Sequence, residues 1–270
     1  MHQCSSTLYN KWHFVPMPHS PFVPLSSVMD GNPLFHLIIL LAGFTQGFTG
    51  FGSALIMLPL LTLLAGVKTV VPLVILLGGC VNVILFFQVR RHVQWKRIHV
   101  LLMACVPGIF CGVYILKMMS TGFLELVIGL LLVVFPAWAM SRSAPVRGVP
   151  SWWALPAGFL SGVLGGSIST GGPPVIIFTA LQPWGKLPIK STLVGFFLVT
   201  SAATVTVQAA GGLMTREVVA LFAAGLPALV AGVLGGAHLF GKVDSSSYRK
   251  VLNILLMLLG VVMVVKSLAN

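Results

Sequence analysis

The chain has 270 residues, of which 57% are hydrophobic and only 7% are charged, and its mean hydropathy is +1.02. Soluble domains carry about 25% charged residues, so the composition excludes that class and indicates an all-α integral membrane protein. Sixteen Lys and Arg stand against four Asp and Glu, but the basic residues form short clusters between apolar runs. Membrane topology and lipid headgroups explain such clusters better than nucleic-acid binding does, so we expect membrane lipid as a partner and no nucleic acid.

The N-terminal segment differs from the rest of the chain. Residues 1–33 are polar and rich in proline, and they lack the apolar core of a signal peptide, so we predict a disordered tail. The histidines of this tail and the four cysteines of the chain show no regular metal-ligand spacing. We therefore predict no metal site and no cofactor.

Charges and helix breakers divide the remaining sequence into ten apolar segments, each predicted to be a helix. The segments are 34–47, 53–66, 69–89, 98–117 and 122–140, followed by 152–165, 173–181, 188–210, 218–240 and 248–268. Two short segments precede three longer ones, and the pattern then repeats. A spanning helix needs about 20 residues, which the long segments approach. This order predicts a first transmembrane repeat over 34–140, a linker over 141–150 and a second repeat over 151–270.

Two glycine motifs support an internal duplication. Ala42-Gly43-Phe44-Thr45-Gln46-Gly47 is followed by Pro59, and 115 residues later Ala157-Gly158-Phe159-Leu160-Ser161-Gly162 is followed by Pro174. A second match relates Pro107-x4-Gly112-Val113 to Pro227-x4-Gly232-Val233 at an offset of 120. Several matches in the same order over most of the chain favour two related halves.

The distribution of basic residues distinguishes two topologies. If each short pair is one broken helix that crosses the membrane, 9 basic residues face inside and 7 face outside; if each pair is a re-entrant hairpin, the numbers become 11 and 5. A helix of 14 residues also reaches only about 21 Å, less than the roughly 30 Å hydrocarbon core. We therefore predict two re-entrant hairpins that open inverted repeats, with their tips meeting near the midplane.

The predicted hairpin tips hold the candidate binding residues. They are Thr45, Gln46, Thr49, Gly50 and Ser53 in the first, and Ser167, Ser169, Thr170, Gly171 and Gly172 in the second. These residues offer hydroxyls, an amide and bare backbone but no carboxylate, and the helices that restart there would direct their N-termini at the tips. Such a site favours a small anionic substrate. The alternative is that the same small residues only let membrane helices pack closely.

Polar residues inside the long segments have two possible roles. Asn82, Gln88, Thr200, Ser201 and Gln208 either line a cavity or form hydrogen bonds between helices. Glu125 lies close enough to its helix start to reach the headgroup region, and a role in a proton relay is the alternative. The apolar regions show no Ser/His/Asp set and no paired carboxylates, so an enzyme is not expected.

The pattern Gly43-Phe44-x2-Gly47-x2-Gly50-x-Gly52 with Pro59, and its echo at Gly171-Gly172-Pro173-Pro174, resembles the sulfite exporter TauE/SafE family. The resemblance covers residues 34–268. It implies a bacterial inner-membrane transporter with two related halves that exports sulfite, sulfoacetate or a related organic anion. An anion channel and a membrane subunit without transport activity remain the alternatives.

Overall fold

The computed structural model describes residues 32–141, 148–239 and 245–269, leaving out the side chains of 186, 245–252 and 269. Within these ranges the chain forms ten α-helices and no β-strand. They are α1 (Pro33–Thr49), α2 (Ser53–Thr62), α3 (Val67–Val89), α4 (Trp95–Met118), α5 (Thr121–Ser141), α6 (Ala154–Ile168), α7 (Gly172–Ala180), α8 (Lys186–Ala210), α9 (Arg216–Leu239) and α10 (Ser245–Ala269). The predicted tail and linker lie largely outside the described residues.

The helices follow the predicted segments in number and order. α3, α4, α5, α8 and α9 are long and apolar enough to cross a membrane, and α10 contributes a shorter apolar stretch, Asn253–Leu268. The chain is therefore an all-α, multi-pass membrane protein. The largest difference in boundaries is at α2, which ends at Thr62 rather than at Gly66, because residues 63–66 form a turn.

The helix ends lie on two opposite faces of the molecule. On one, here called the Lys117 face, Lys68 at the start of α3 donates to the carbonyl oxygen of Lys117 at 3.4 Å. On the other, here called the His92 face, Ser191 at the start of α8 donates to the carbonyl oxygen of His92 at 2.8 Å. α3 therefore begins on the Lys117 face, whereas α4 and α8 begin on the His92 face.

α6 and α7 form a hairpin that returns to its own face, here called hairpin 2. Gly148, before α6, donates its backbone N–H to the carbonyl oxygen of Leu181, after α7, at 3.1 Å. Trp184 follows directly and lies under the guanidinium of Arg97 at the start of α4, 4.5 Å from it. The chain thus enters and leaves hairpin 2 on the His92 face.

α1 and α2 form hairpin 1, which enters from the opposite face. α2 ends where the ammonium of Lys266 donates to the carbonyl oxygen of Thr62 at 3.2 Å, and the same ammonium pairs with Glu125 at the start of α5. α1 runs parallel to α9, with Ile39 against Gly225 in the first half of that helix. α1 therefore begins near the Lys117 face, and α2 ends near the same face.

Glycines join each hairpin to a spanning helix of the other half. α1 packs along α9, and α6 packs along α4, so closely that a Cβ atom at the contact glycines would lie under 3.0 Å from a backbone carbonyl oxygen. These glycines are Gly43 and Gly47 on α1, Gly232 and Gly236 on α9, Gly108 and Gly112 on α4, and Gly158, Gly162 and Gly166 on α6. Only glycine permits this backbone approach.

The four most extensive helix–helix contacts form the same set when each helix is replaced by its counterpart in the other half of the chain. In chain order α1 corresponds to α6 and α4 to α9, so the α1–α9 pair is the counterpart of the α6–α4 pair. The other two extensive contacts join α3 to α8 and α5 to α10, each helix to its own counterpart. This pairing supports the inverted duplication, which stays a prediction.

Candidate functional site

One cavity lies between the two hairpins and the middles of three spanning helices. Its volume is about 80 Å³, several times the roughly 10–15 Å³ that one water requires by the same measure. Its polar side chains are Gln46, Ser53, Asn82, Ser161, Ser169, Thr170, Thr200, Ser201 and Thr204. Its glycines are Gly52, Gly78, Gly165, Gly171 and Gly172. Among the described residues no charged side chain lines the cavity, so the lining they form offers a ligand only neutral dipoles.

The cavity brings together some of the predicted binding residues and leaves others out. Gln46, Ser53, Ser169, Thr170, Gly171 and Gly172 line it. Thr45, Thr49, Gly50 and Ser167 do not. Thr45, Thr49 and Ser167 instead donate to carbonyl oxygens of their own helices, at 2.7–2.8 Å.

The break in hairpin 1 depends on two glycines with positive φ. Gly50 ends α1 at φ 89° and donates its N–H to the carbonyl oxygen of Gln46 at 2.7 Å. Gly52 precedes α2 at φ 103°. Side chains are strained in this region of φ, so glycine is required at both positions. The two residues turn the chain so that α2 begins inside the cavity.

The break in hairpin 2 is built differently. Ser169 ends α6 at φ 54°, which is uncommon for a residue other than glycine, and its hydroxyl donates to the carbonyl oxygen of Val71 on α3 at 2.8 Å. Gly171 lies against Ser161, where a Cβ atom would be 2.5 Å from the Ser161 carbonyl oxygen. A bond between the two halves thus supports the strained position.

The tips overlap instead of meeting. Gly50 lies against the side chain of Lys190, in the first turns of α8, and Ser169 bonds to Val71, in the first turns of α3. Each tip therefore reaches past the middle of the molecule toward the face opposite to its entry. The cavity lies between the overlapping tips, at the level of Gly78 in the middle of α3.

Most hydroxyls around the cavity already donate to backbone oxygens. Ser161 donates to Gly171 at 2.5 Å, Thr170 to Ile168 at 3.0 Å, and Thr200 and Ser201 to their own helix at 3.0 Å. Of these four residues only Thr170 belongs to the predicted binding set, and its role in binding a ligand stays a prediction. Among the described residues, the Thr204 hydroxyl and the Asn82 amide nitrogen lack a hydrogen-bond partner and line the cavity.

The two helix N-termini at the cavity are not equivalent. α2 begins Ser53-Ala54-Leu55, all three residues line the cavity, and no side chain caps their N–H groups. α7 begins Gly172-Pro173-Pro174, and proline has no N–H. Both helix dipoles favour an anion, but α2 offers two more backbone donors in its first turn.

The chain was compared with known proteins. The family model described as Sulfite exporter TauE/SafE matches residues 35–263, which is most of the sequence. The chain belongs to the sulfite exporter TauE/SafE family. No curated protein and no solved structure gives a significant match. Membership places this TauE/SafE protein among membrane transporters, and it agrees with the resemblance seen in the glycine motifs.

Sequence reasoning missed part of the TauE/SafE cavity. Ser161 and Gly165 lie on α6, and Gly78 and Thr204 lie on spanning helices. Of the polar residues with two possible roles, Asn82, Thr200 and Ser201 line the cavity, whereas Gln208 donates to the Gly166 carbonyl oxygen and Gln88 is exposed. The helical spacing of Gly78 and Asn82 was the available signal, because residues four apart share a face.

Proposed function

We propose that this TauE/SafE protein exports a small oxyanion, sulfite or a sulfonate, across the bacterial inner membrane by alternating access. The observation that carries the proposal is the uncharged cavity at the N-terminus of α2. Its backbone N–H groups, the Asn82 amide and the Thr204 hydroxyl are all donors, and a ligand that satisfies them must supply acceptor oxygens.

The membrane potential favours export of such a ligand. In the part of the chain that the structure describes, no carboxylate lines the cavity to compensate for a bound cation, and no lysine or arginine there neutralises an anion. The complex therefore carries the ligand's negative charge through the membrane. An inside-negative potential drives that charge outward with about 2.3 kcal/mol per charge per 100 mV.

Flux from proteoliposomes tests the proposal. Vesicles are loaded with sulfite, methanesulfonate or acetate, and an inside-negative potential is imposed with a potassium gradient and valinomycin. We expect saturable, potential-dependent efflux of at least one oxyanion, and acceleration by the same anion on the opposite side, which distinguishes a carrier from a channel. Efflux equal to that of protein-free vesicles for the whole panel would contradict the proposal.

A further inference from the structure

Three polar side chains form a chain of hydrogen bonds that ends at the cavity. The Ser53 hydroxyl donates to Oε1 of Gln46, and Nε2 of Gln46 donates to Oδ1 of Asn82 at 2.8 Å. All three side chains are buried, with 1%, 4% and 6% of their surfaces exposed. They come from α2, α1 and α3, so the chain connects both arms of hairpin 1 to a spanning helix.

The direction of these bonds determines what Asn82 presents to the cavity. In the structure the Ser53 hydroxyl donates to the Gln46 oxygen, and the Gln46 amide nitrogen donates onward to the Asn82 oxygen. The remaining amide group of Asn82, Nδ2, has no partner among the described residues. An amide nitrogen can only donate, and Asn82 lines the cavity, so Nδ2 is available to donate to an acceptor there, either a water molecule or an oxygen of the ligand.

Two further groups direct donors at the same volume. The backbone N–H groups at the start of α2 are uncapped there, because Gly52 has no side chain with which to accept them. Thr204, 1% exposed, contributes a hydroxyl from α8 that has no partner among the described residues. Hydrogen-bond donors from hairpin 1, α3 and α8 therefore converge on the cavity. The opposite wall has fewer backbone donors, because α7 begins with two prolines.

We propose that Asn82 is a specificity-determining residue of the transport site, donating from Nδ2 to one oxygen of the anion while the N-terminus of α2 holds another. Gln46 and Ser53 are positioning residues that fix the orientation of the Asn82 amide. The proposal deepens the proposed function and rests on it. It assigns the ligand class as an oxyanion with at least two acceptor oxygens on one side.

A purely structural role of the same network predicts different behaviour. If Asn82 only joins α1 to α3, its replacement lowers the stability of the protein without changing the affinity of the folded protein for an anion. If Asn82 binds the ligand, affinity falls even where stability is retained. Asn82→Asp keeps the oxygen that accepts from Gln46 and replaces the free donor with a negative oxygen, and Asn82→Ala removes the donor without adding charge.

The experiment measures sulfite efflux against sulfite concentration for the wild type, both Asn82 variants and Ser53→Ala. Thr206→Val is the control, because Thr206 is exposed on the outer side of α8 and its hydroxyl donates to the Ala202 carbonyl oxygen. For Asn82→Ala we expect a rise of about tenfold in the half-saturating concentration, for Asn82→Asp a larger rise or complete loss, and for Ser53→Ala a smaller rise. Thr206→Val should behave as the wild type.

A second readout separates folding from binding. Thermal unfolding in detergent, with and without sulfite, should show that the anion stabilises the wild type and fails to stabilise Asn82→Ala at the same concentration. If Asn82→Ala had the same half-saturating sulfite concentration as the wild type and were stabilised by sulfite to the same extent, the assignment of Asn82 would be overturned but the proposed function would not. Absence of both flux and stabilisation for every anion in the wild type would instead overturn the proposed function.

Discussion

Gly148 and Leu181 are hydrogen-bonded to each other at 3.1 Å, although the whole of hairpin 2 separates them in sequence. The bond places the entry and exit of the hairpin on one face. This arrangement predicts that residues before α5 and residues after α7 lie on opposite sides of the membrane. A single α6–α7 helix that crossed the membrane would place them on the same side. Because lysine and arginine favour the cytoplasm, the cluster of Arg90, Arg91 and neighbouring bases predicts that the His92 face is the cytoplasmic one.

Cysteine labelling tests this topology. In a background without the native cysteines, we expect Gly185→Cys, after α7, to react with an impermeant maleimide only from the cytoplasmic side, and Ser120→Cys, before α5, only from outside. Both positions are exposed. Labelling of both from the same side would contradict the hairpin.

Gly78 permits the cavity to be filled without disturbing the backbone. No atom lies within 4 Å of the position that its Cβ would occupy, and the residue lines the cavity. We expect Gly78→Ala to reduce transport partly and Gly78→Leu to reduce it more than about tenfold, with the free energy of unfolding unchanged or raised by up to about 1 kcal/mol because glycine is a poor helix former.

The matched control for this series is Gly66→Leu. Gly66 also has open space around its Cβ position but lies before α3, away from the cavity. Flux assays and thermal unfolding are run on the same preparations. Wild-type flux in Gly78→Leu would show that the substrate does not pass through this cavity.

Adjacent glycines on α9 test the backbone contact between α1 and α9. A Cβ at Gly236 would overlap with the Phe44 carbonyl oxygen, whereas a Cβ at Gly235 would lie 3.8 Å from the Phe44 ring. We expect Gly236→Ala to destabilise the protein by about 1–3 kcal/mol or more, because the helices must separate. Gly235→Ala should be neutral. Thermal unfolding in detergent measures both, and equal stabilities would be inconsistent with the close packing.

The Glu125–Lys266 ion pair joins α5 to α10 at 2.9 Å, and Glu125 is 1% exposed. Lys266→Met should destabilise the protein by about 3–5 kcal/mol, because it leaves a buried carboxylate unpaired. The value should fall toward the lower end, since Lys266 remains 24% exposed. The double variant Glu125→Leu/Lys266→Met should recover most of the loss, and a double-mutant cycle with no coupling would rule out the pair.

The positions of the helices could be predicted from the sequence because each apolar run ends at a charge, a proline or a glycine. The glycine motifs predict the repeat, and their offset of 115 residues pairs Gly50 with Gly165. In the structure, however, α1 ends at Gly50 and α6 ends at Ser169, so the two helix ends do not follow that offset. The motif glycines Gly43 and Gly158 contact α9 and α4. Close packing explains the motif itself, and the cavity residues lie mainly downstream of it.

Contacts between distant residues could not be predicted. The Glu125 side chain is buried against Lys266, 141 positions away, and this ion pair was not anticipated from the sequence. The Ser169 hydroxyl, one of the predicted tip donors, donates to Val71 on another helix, and this partner could not be predicted from the sequence. Its role toward a ligand stays a prediction. Periodicity identifies the face of a helix, but the partner of each donor depends on tertiary packing.

The glycine contacts between helices determine which parts of the protein can move together. Carbonyl oxygens of α1 and α9 lie where side chains would otherwise separate the two helices, and the same holds for α4 and α6. Sliding within either pair would force backbone into backbone, so we expect each pair to stay together in any rearrangement. The units that the proposed alternating access would displace are then composites of both sequence halves, α1 with α9 and α4 with α6.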